Sequence, residues 1–207
     1  MKNISTWYMT FGEWMFKLFI LNFLWVLFTI AGIGVLGIFP ATIALYATIR
    51  KELQSEHDIK IFSSFISYFK REFLKANLYG YSVTIAGALL FFNIRVLAQL
   101  PSTALNAALT LFTYALIIVL SLIAIYLPPL YVHFELKFLT YFKYAIILII
   151  GKPLQTFMMI VVILVLLVTF YYLPVLFPVL GASTLSYFIM KISLPLFDTG
   201  DKTSTSA

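Results

Sequence analysis

The stretch LFILNFLWVLFTIAGIGVLGIFPATIALYATI, Leu18 to Ile49, runs for 32 residues without an Asp, Glu, Lys or Arg. As one α-helix rising ~1.5 Å per residue it would reach about 48 Å, whereas a bilayer's hydrocarbon core is about 30 Å thick and takes roughly 20 apolar residues to cross. Gly32, Gly34 and Gly37, followed by Pro40, interrupt the stretch near its middle. Pro40 suits the first turn of a new helix, where its missing N–H is not needed. The spacing predicts a hairpin of two helices, about 12–34 and 40–54. The competing reading is one span followed by a shallow helix over 40–54 that does not cross.

The same silence recurs outward from this stretch, over Ala76–Ile94, Val96–Phe134 and Pro153–Met190. An ionised side chain at the centre of a membrane helix costs roughly 2.5–3.5 kcal/mol on insertion scales, so four uncharged runs of this length point to lipid as the solvent. Composition agrees: 62% of the 207 residues are hydrophobic and 11% charged, against roughly 45–50% and 25% in soluble domains. The chain reads as all-α, a polytopic helical membrane bundle of five to six transmembrane helices with a cytoplasmic interfacial amphipathic helix. Residues 1–197 are expected to form a single domain, and the polar tail 198–207, with nothing to bury, to be disordered. Glu13 and Lys17 ahead of so long an apolar run argue against a cleaved signal peptide.

Further crossings are expected at about 76–98, at 103–132, where Pro128-Pro129 kinks the helix or ends its membrane portion, and from Pro153 to between Tyr172 and Pro178. Residues 182–194 make a short tilted helix or a half-helix. Six basic residues, Arg50, Lys51, Lys60, Lys70, Arg71 and Lys75, fall in segment 50–75, and Lys137, Lys143 and Lys152 in 133–153. The turns near 99–104 and 174–182 carry none, which assigns both basic segments to the cytoplasmic side of a cell membrane. Six spans then put the N-terminus inside, and five put it outside.

Within 59–75, Phe62, Phe65, Ile66, Phe69 and Phe73 recur on one helical face, with Lys60, Lys70, Arg71 and Lys75 on the other. This predicts an interfacial helix that either anchors the next span or, through Lys70 and Arg71, docks a partner subunit. An echo follows: Pro40, Tyr46 and Tyr68-Phe69-Lys70 precede one apolar span, and Pro128, Tyr131 and Tyr141-Phe142-Lys143 another. The order is compatible with a duplication of the kind transport folds use.

Chemistry is sparse. Cys is absent and His57 and His133 are the two histidines, so thiol catalysis, thiolate metal sites and a histidine-rich centre are excluded. No glycine-rich phosphate loop follows a strand, and the expectation is no cofactor and no enzyme activity. The formal charge of +6 sits beside amphipathic sequence, where anionic headgroups rather than nucleic acid are the counter-charge. Asn22 and Trp25, at i, i+3 on the first helix, make an interhelical hydrogen bond or line a substrate path. His133, Glu135 and Lys137 follow the double proline; they are interface residues in contact with water or, with His133 and Lys137 sharing a face at i, i+4, a proton relay. Arg95 near the far end of the third span snorkels, or binds an anionic group. Tyr126, Tyr131, Tyr171, Tyr172 and Tyr187 mark helix ends, as an aromatic belt does.

The runs Asn22-Phe23-Leu24-Trp25, Gly37 to Tyr46, Phe65 to Phe73 and Gly151-Lys152-Pro153-Leu154 resemble the YesL family of predicted bacterial integral membrane proteins. The likeness extends through most of the chain, and its motifs are short and mostly structural. The resemblance implies a small helical membrane protein with an accessory or regulatory role in carbohydrate (ABC-type) uptake, and supplies no catalytic residues. The partners expected are the lipid bilayer, membrane subunits of a sugar transporter and a second copy of the chain. A small-molecule transporter or channel in its own right is the alternative, motivated by the echo and by the breaks at Pro40, Pro128-Pro129, Pro174 and Pro178.

Overall fold

Backbone amides in lipid find no water, so a chain this apolar must satisfy them within its own helices. The computed structural model describes residues 2–55 and 59–204, with side chains over 12–55 and 59–197. Among these residues all regular structure is helical: α1 (Lys2–Ala31), α2 (Ile38–Gln54), α3 (Ile61–Leu97), α4 (Ala104–His133), α5 (Phe138–Gly151), α6 (Pro153–Tyr172) and α7 (Leu176–Ser204). Among the described residues five stretches are long and apolar enough to cross a membrane: Gly12–Ala31, Ile61–Leu97, Ala104–His133, Pro153–Tyr172 and Leu176–Phe197. His57 lies outside the described residues, as do the side chains of the expected tail, 198–207.

The first break falls where the glycines cluster. Ile33 and Gly34 turn left-handed, at φ 61° and 67°, and Gly34 N–H donates to the Thr29 carbonyl at 2.8 Å. A Cβ on Gly32 would overlap the Gly37 backbone, and one on Gly37 the backbone of Thr29, so the two chains meet there with no room for a side chain. Beyond the turn α1 and α2 run antiparallel, tied by Trp25 Nε1 to Thr42 Oγ1 at 3.0 Å and Lys17 to Glu52 at 2.6 Å.

Helix α2 is the core of the bundle. Nine of its residues between Pro40 and Ile49 are buried, packed by α1, α3, α4 and α7, and a helix apolar on all sides belongs in an interior. Its 17 residues reach about 25 Å, short of a ~30 Å core. It is packed inside the bundle and is not one of the five long apolar helices.

Segment 59–75 is not a separate interfacial helix. It forms the first turns of α3, whose 37 residues extend about 55 Å and therefore project well beyond the hydrocarbon. The charges Lys70, Arg71, Glu72 and Lys75 suggest a boundary, but neither Gly nor Pro breaks the helix before Gly80. Phe65 and Phe69 are buried against Phe28 of α1, at ring distances of 5.5 and 4.9 Å, while Phe62 and Leu74 face outward. Helix α3 runs antiparallel to α2: Lys51 Nζ donates to Ser64 Oγ at 3.3 Å near one end, and at the other Asn77 Nδ2 and Tyr81 OH donate to the Leu36 and Val35 carbonyls of the turn that precedes α2, at 3.0 and 2.9 Å.

The second half of α3 and the first half of α4 pair through Thr113 Oγ1 to Asn93 Oδ1 at 3.0 Å. They expose Leu89, Phe92, Leu111 and Phe112, as lipid-facing helices do. Thr103 caps α4 by accepting from Asn106 N–H at 3.2 Å. Helix α4 runs through Pro128-Pro129 to His133, so the double proline does not end it. The 14-residue α5, about 21 Å long, occupies what reads in sequence as a charged loop. The apolar stretch Pro153–Met190 breaks at 173–175, between Tyr172 and Pro178 as expected. Pro178 sits in the first turn of α7, where it is tolerated, and 176–197 becomes a 22-residue apolar helix rather than a half-span. The sequence echo keeps its order but not its helical place: Pro40 opens α2, Pro128 lies near the end of α4, and the counterpart of α3 is split at Lys152-Pro153.

Candidate functional site

Helix α4 stops at His133, and residues 134–137 turn in extended conformation before α5 begins at Phe138. Tyr141 holds this linker: its hydroxyl accepts from Leu136 N–H at 3.1 Å and donates to the Phe134 carbonyl at 2.6 Å. Burial, with the Glu72 and Glu135 carboxylates nearby, pushes the Tyr141 phenol up, so it remains a neutral donor.

The linker faces α2 and the charged half of α3 across a cavity of about 770 Å³. Its walls carry Arg50 from α2, Arg71, Glu72 and Lys75 from α3, and Glu135 and Lys137 from the linker. Glu72 is already engaged, accepting from Arg71 Nε at 2.7 Å and from Tyr131 OH at 2.5 Å. Arg50 donates to the Val132 carbonyl through Nη1, while its Nε is buried without a hydrogen-bond partner. Among the described residues neither Arg50, Lys75 nor Lys137 forms an ion pair. A tyrosine cluster forms the inner wall: Tyr79 meets Tyr131 at 5.1 Å and Tyr141 at 5.2 Å, and stacks on Phe138 at 4.8 Å.

A second cavity, about 370 Å³, opens on the other side of that wall between α1, α2, α3 and α4. Trp25, Phe39, Val83 and Leu127 line it, and Ile43, Tyr79 and Tyr131 line both cavities. Its polar atoms are turned to one another, since Trp25 donates to Thr42 and Thr42 to the Ile38 carbonyl. The Tyr131–Glu72 bond is the hydrogen bond that joins α4 to α3 at this wall, beside the Tyr79–Tyr131 ring contact, and a hydrogen bond to a charged group contributes about 1.5–3 kcal/mol. Tyr131→Phe is expected to lower unfolding stability in detergent by about 1.5 kcal/mol, and thermal melts of the double-mutant cycle with Glu72→Gln should show a coupling of about that size, apart from the separate loss of the Arg71 pair.

The residues singled out from sequence part company in space. Arg71, His133 and Glu135 line the charged cavity, with Lys70 exposed on the same helix. His133 packs against Phe134 and Phe197, each at 4.6 Å. Because the helix ends at His133, it shares no helical face with Lys137. Asn22 and Trp25 turn to different neighbours, Trp25 to α2 and Asn22 to α7, where it bonds Pro178, Ala182 and Ser183. Arg95 is exposed at the far end of α3, over the Phe91 ring at 5.1 Å. Two belt tyrosines prove internal: Tyr126 is fully buried and bonds Thr156 at 2.8 Å, and Tyr131 bonds Glu72. Arg50, Glu72, Lys75, Tyr79 and Tyr141 escaped notice as site residues. Glu72, Lys75 and Tyr79 recur at i, i+3, i+7, a polar stripe on one face of α3 that the phenylalanine pattern overshadows. Among the described residues no three His, Cys, Asp or Glu side chains cluster as metal ligands would.

Comparison with known proteins places this architecture. A family described as "Protein of unknown function, DUF624" matches residues 18–94, from α1 through most of α3. The chain is similar to the uncharacterized protein YteU of Bacillus subtilis (strain 168), 30% identical over 88% of this chain and 81% of that one. It is 33% identical to YesV of the same organism, over 84% of this chain and 83% of that one, and 29% identical to YesL, over 93% and 90%. No solved structure matches it. The match to the family profile, with full-length likeness to three of its relatives, means that the chain belongs to the YesL-like DUF624 family of membrane proteins of unknown function.

Proposed function

We propose that the protein is a non-enzymatic component of the cell membrane, accessory or regulatory to carbohydrate (ABC-type) uptake, acting by association with a transporter's membrane subunits. The basic segments 50–75 and 133–153 lie on the cytoplasmic side. The observation that carries this reading is the first half of α3. It is anchored on α1 and α2 by Phe65 and Phe69, projects beyond the span, and presents Phe62, Lys70, Arg71 and Leu74 outward, a mixed apolar and basic face of the kind subunit contacts use. Tagged protein extracted from native membranes is expected to bring down transporter membrane subunits. Lys70→Glu should lower that recovery at least fivefold while leaving insertion and yield unchanged. Native complexes in which the chain never accompanies transporter subunits would end the proposal.

A second reading, a transporter in its own right, is favoured by one feature: the charged and apolar cavities abut at Tyr79 and Tyr131, beside the double proline of α4. Purified protein that moves labelled sugar into liposomes would select it over the first.

A further inference from the structure

Charge and grease meet at a single wall in this molecule. On one side Arg50, Lys75 and Lys137 face the cavity, and Glu72 is taken up by Arg71 and Tyr131. Glu135 is the remaining carboxylate of that lining, so the unpaired charge is positive. Guanidinium and ammonium groups lining one cavity from three segments suit an anion with several oxygens, above all a phosphate. On the other side of Tyr79 and Tyr131, Trp25, Phe39, Val83 and Leu127 enclose a space whose few polar atoms are satisfied internally. That space offers a water-soluble anion nothing. A hydrocarbon chain fits its chemistry.

We infer that the two cavities form one binding site for a phosphorylated amphiphile, with the phosphate held by Arg50, Lys75 and Lys137 and the hydrocarbon lodged between Trp25, Phe39, Val83 and Leu127. The tyrosine wall marks the join, its rings supplying an apolar body and a polar tip at the level where headgroup becomes tail. Each cavity is of ligand size, since small-molecule sites enclose about 300–1,000 Å³. The inference stands apart from the uptake reading: a lipid site serves a regulated accessory protein and an unrelated membrane protein alike.

The test uses the full chain in neutral detergent, with thermal unfolding and native mass spectrometry as readouts. Phosphatidylglycerol, a diacylglycerol without phosphate and soluble glycerol phosphate are the probes. Phosphatidylglycerol is expected to raise the melting temperature in a saturable way and to survive as a bound adduct, with the other two doing neither. Lys75→Gln with Lys137→Gln, both exposed side chains whose replacement leaves packing intact, should weaken the apparent affinity at least tenfold. Ala124→Phe, which projects a ring into the apolar cavity from α4, should do the same. Equal binding of phosphatidylglycerol to the wild type and both variants would mean ordinary boundary lipid and overturn the inference. So would an equal response to diacylglycerol. If glycerol phosphate matches the lipid and Ala124→Phe changes nothing, the occupant is a soluble phosphate and the amphiphile is rejected.

Discussion

Gly37→Ala is expected to remove most of the folded protein, although it adds one methyl group. Gly37 has ordinary right-handed dihedrals, φ −87° and ψ −28°, so alanine meets no objection from the backbone angle. The objection is space: a Cβ there would overlap the Thr29 carbonyl and Cα and the Phe28 carbonyl. Backbone cannot swing aside as a long side chain can, and overpacking of a tight core costs about 1–3 kcal/mol or more. Gly32→Ala, aimed at the Gly37 backbone, belongs in the same class. Two controls separate space from angle. Gly34→Ala, at φ 67° with nothing within 4 Å, should lose about 1–2 kcal/mol from the left-handed conformation alone. Gly12→Ala, within α1 and in open space, should gain about 0.5–1 kcal/mol. Fluorescence-detected size exclusion in detergent, before and after heating, ranks the four. Equal recovery of Gly37→Ala and Gly12→Ala would mean the hairpin does not close as tightly as described.

That ranking bears on what the amino-acid sequence discloses. The long helices were legible because a charge-free run of twenty or more residues has one common cause, and the Gly32–Gly37 turn because an uninterrupted helix would overshoot the bilayer. The continuity of α3 was hidden: the change from charged to apolar sequence at Lys75-Ala76 imitates a boundary, whereas a helix stops only where its backbone is broken, and no Gly or Pro stands there. Helix α5 was masked for the opposite reason, since Lys137, Lys143 and Lys152 mark 133–153 as a loop while the apolar residues among them are too few to cross. The cleft was half legible. His133, Glu135, Lys137 and Arg71 drew notice as ionisable groups near a membrane boundary, but Arg50 and Lys75 join Lys137 around one cavity only when α2, α3 and the α4–α5 linker fold together. Tyr79 and Tyr141 have no sequence pattern to distinguish them from a lipid-facing belt.

Asn22 sets up the second large effect, in a place that looks least like a mechanism. Its side chain is 1% exposed; Nδ2 donates to the Pro178 carbonyl at 2.7 Å, and Oδ1 accepts from the N–H groups of Ala182 and Ser183 at 3.0 and 3.2 Å. Pro178 and Ala182 stand four apart in α7, the carbonyl and amide that an α-helix joins to one another. The amide of α1 thus bonds into the first turns of α7 and fastens the two helices, so that removing it breaks the joint between them. Interhelical bonds in membranes often contribute only ~0.6 kcal/mol, because the separated helices find other partners. Three bonds on one buried amide should exceed that: Asn22→Leu is expected to lose about 2–3 kcal/mol. Asn22→Asp makes the sharper experiment. A protonated Asp reproduces both functions, donating to Pro178 and accepting from Ala182 and Ser183, whereas the carboxylate loses the donor, faces a carbonyl and is desolvated. The folded state must therefore raise the Asp pKa above its unfolded value of about 3.9, and the sign follows. The proton-dependent stability is fully present below the unfolded pKa, diminishes as pH rises and is gone above the folded pKa. At neutral pH Asn22→Asp should be at least as unstable as Asn22→Leu, and its deficit relative to the wild type should shrink as pH is lowered toward the ordinary carboxylate range. A deficit that stays constant with pH would mean that the side chain at position 22 is not held between those backbone groups, and the joint of α1 with α7 would have to rest on packing alone.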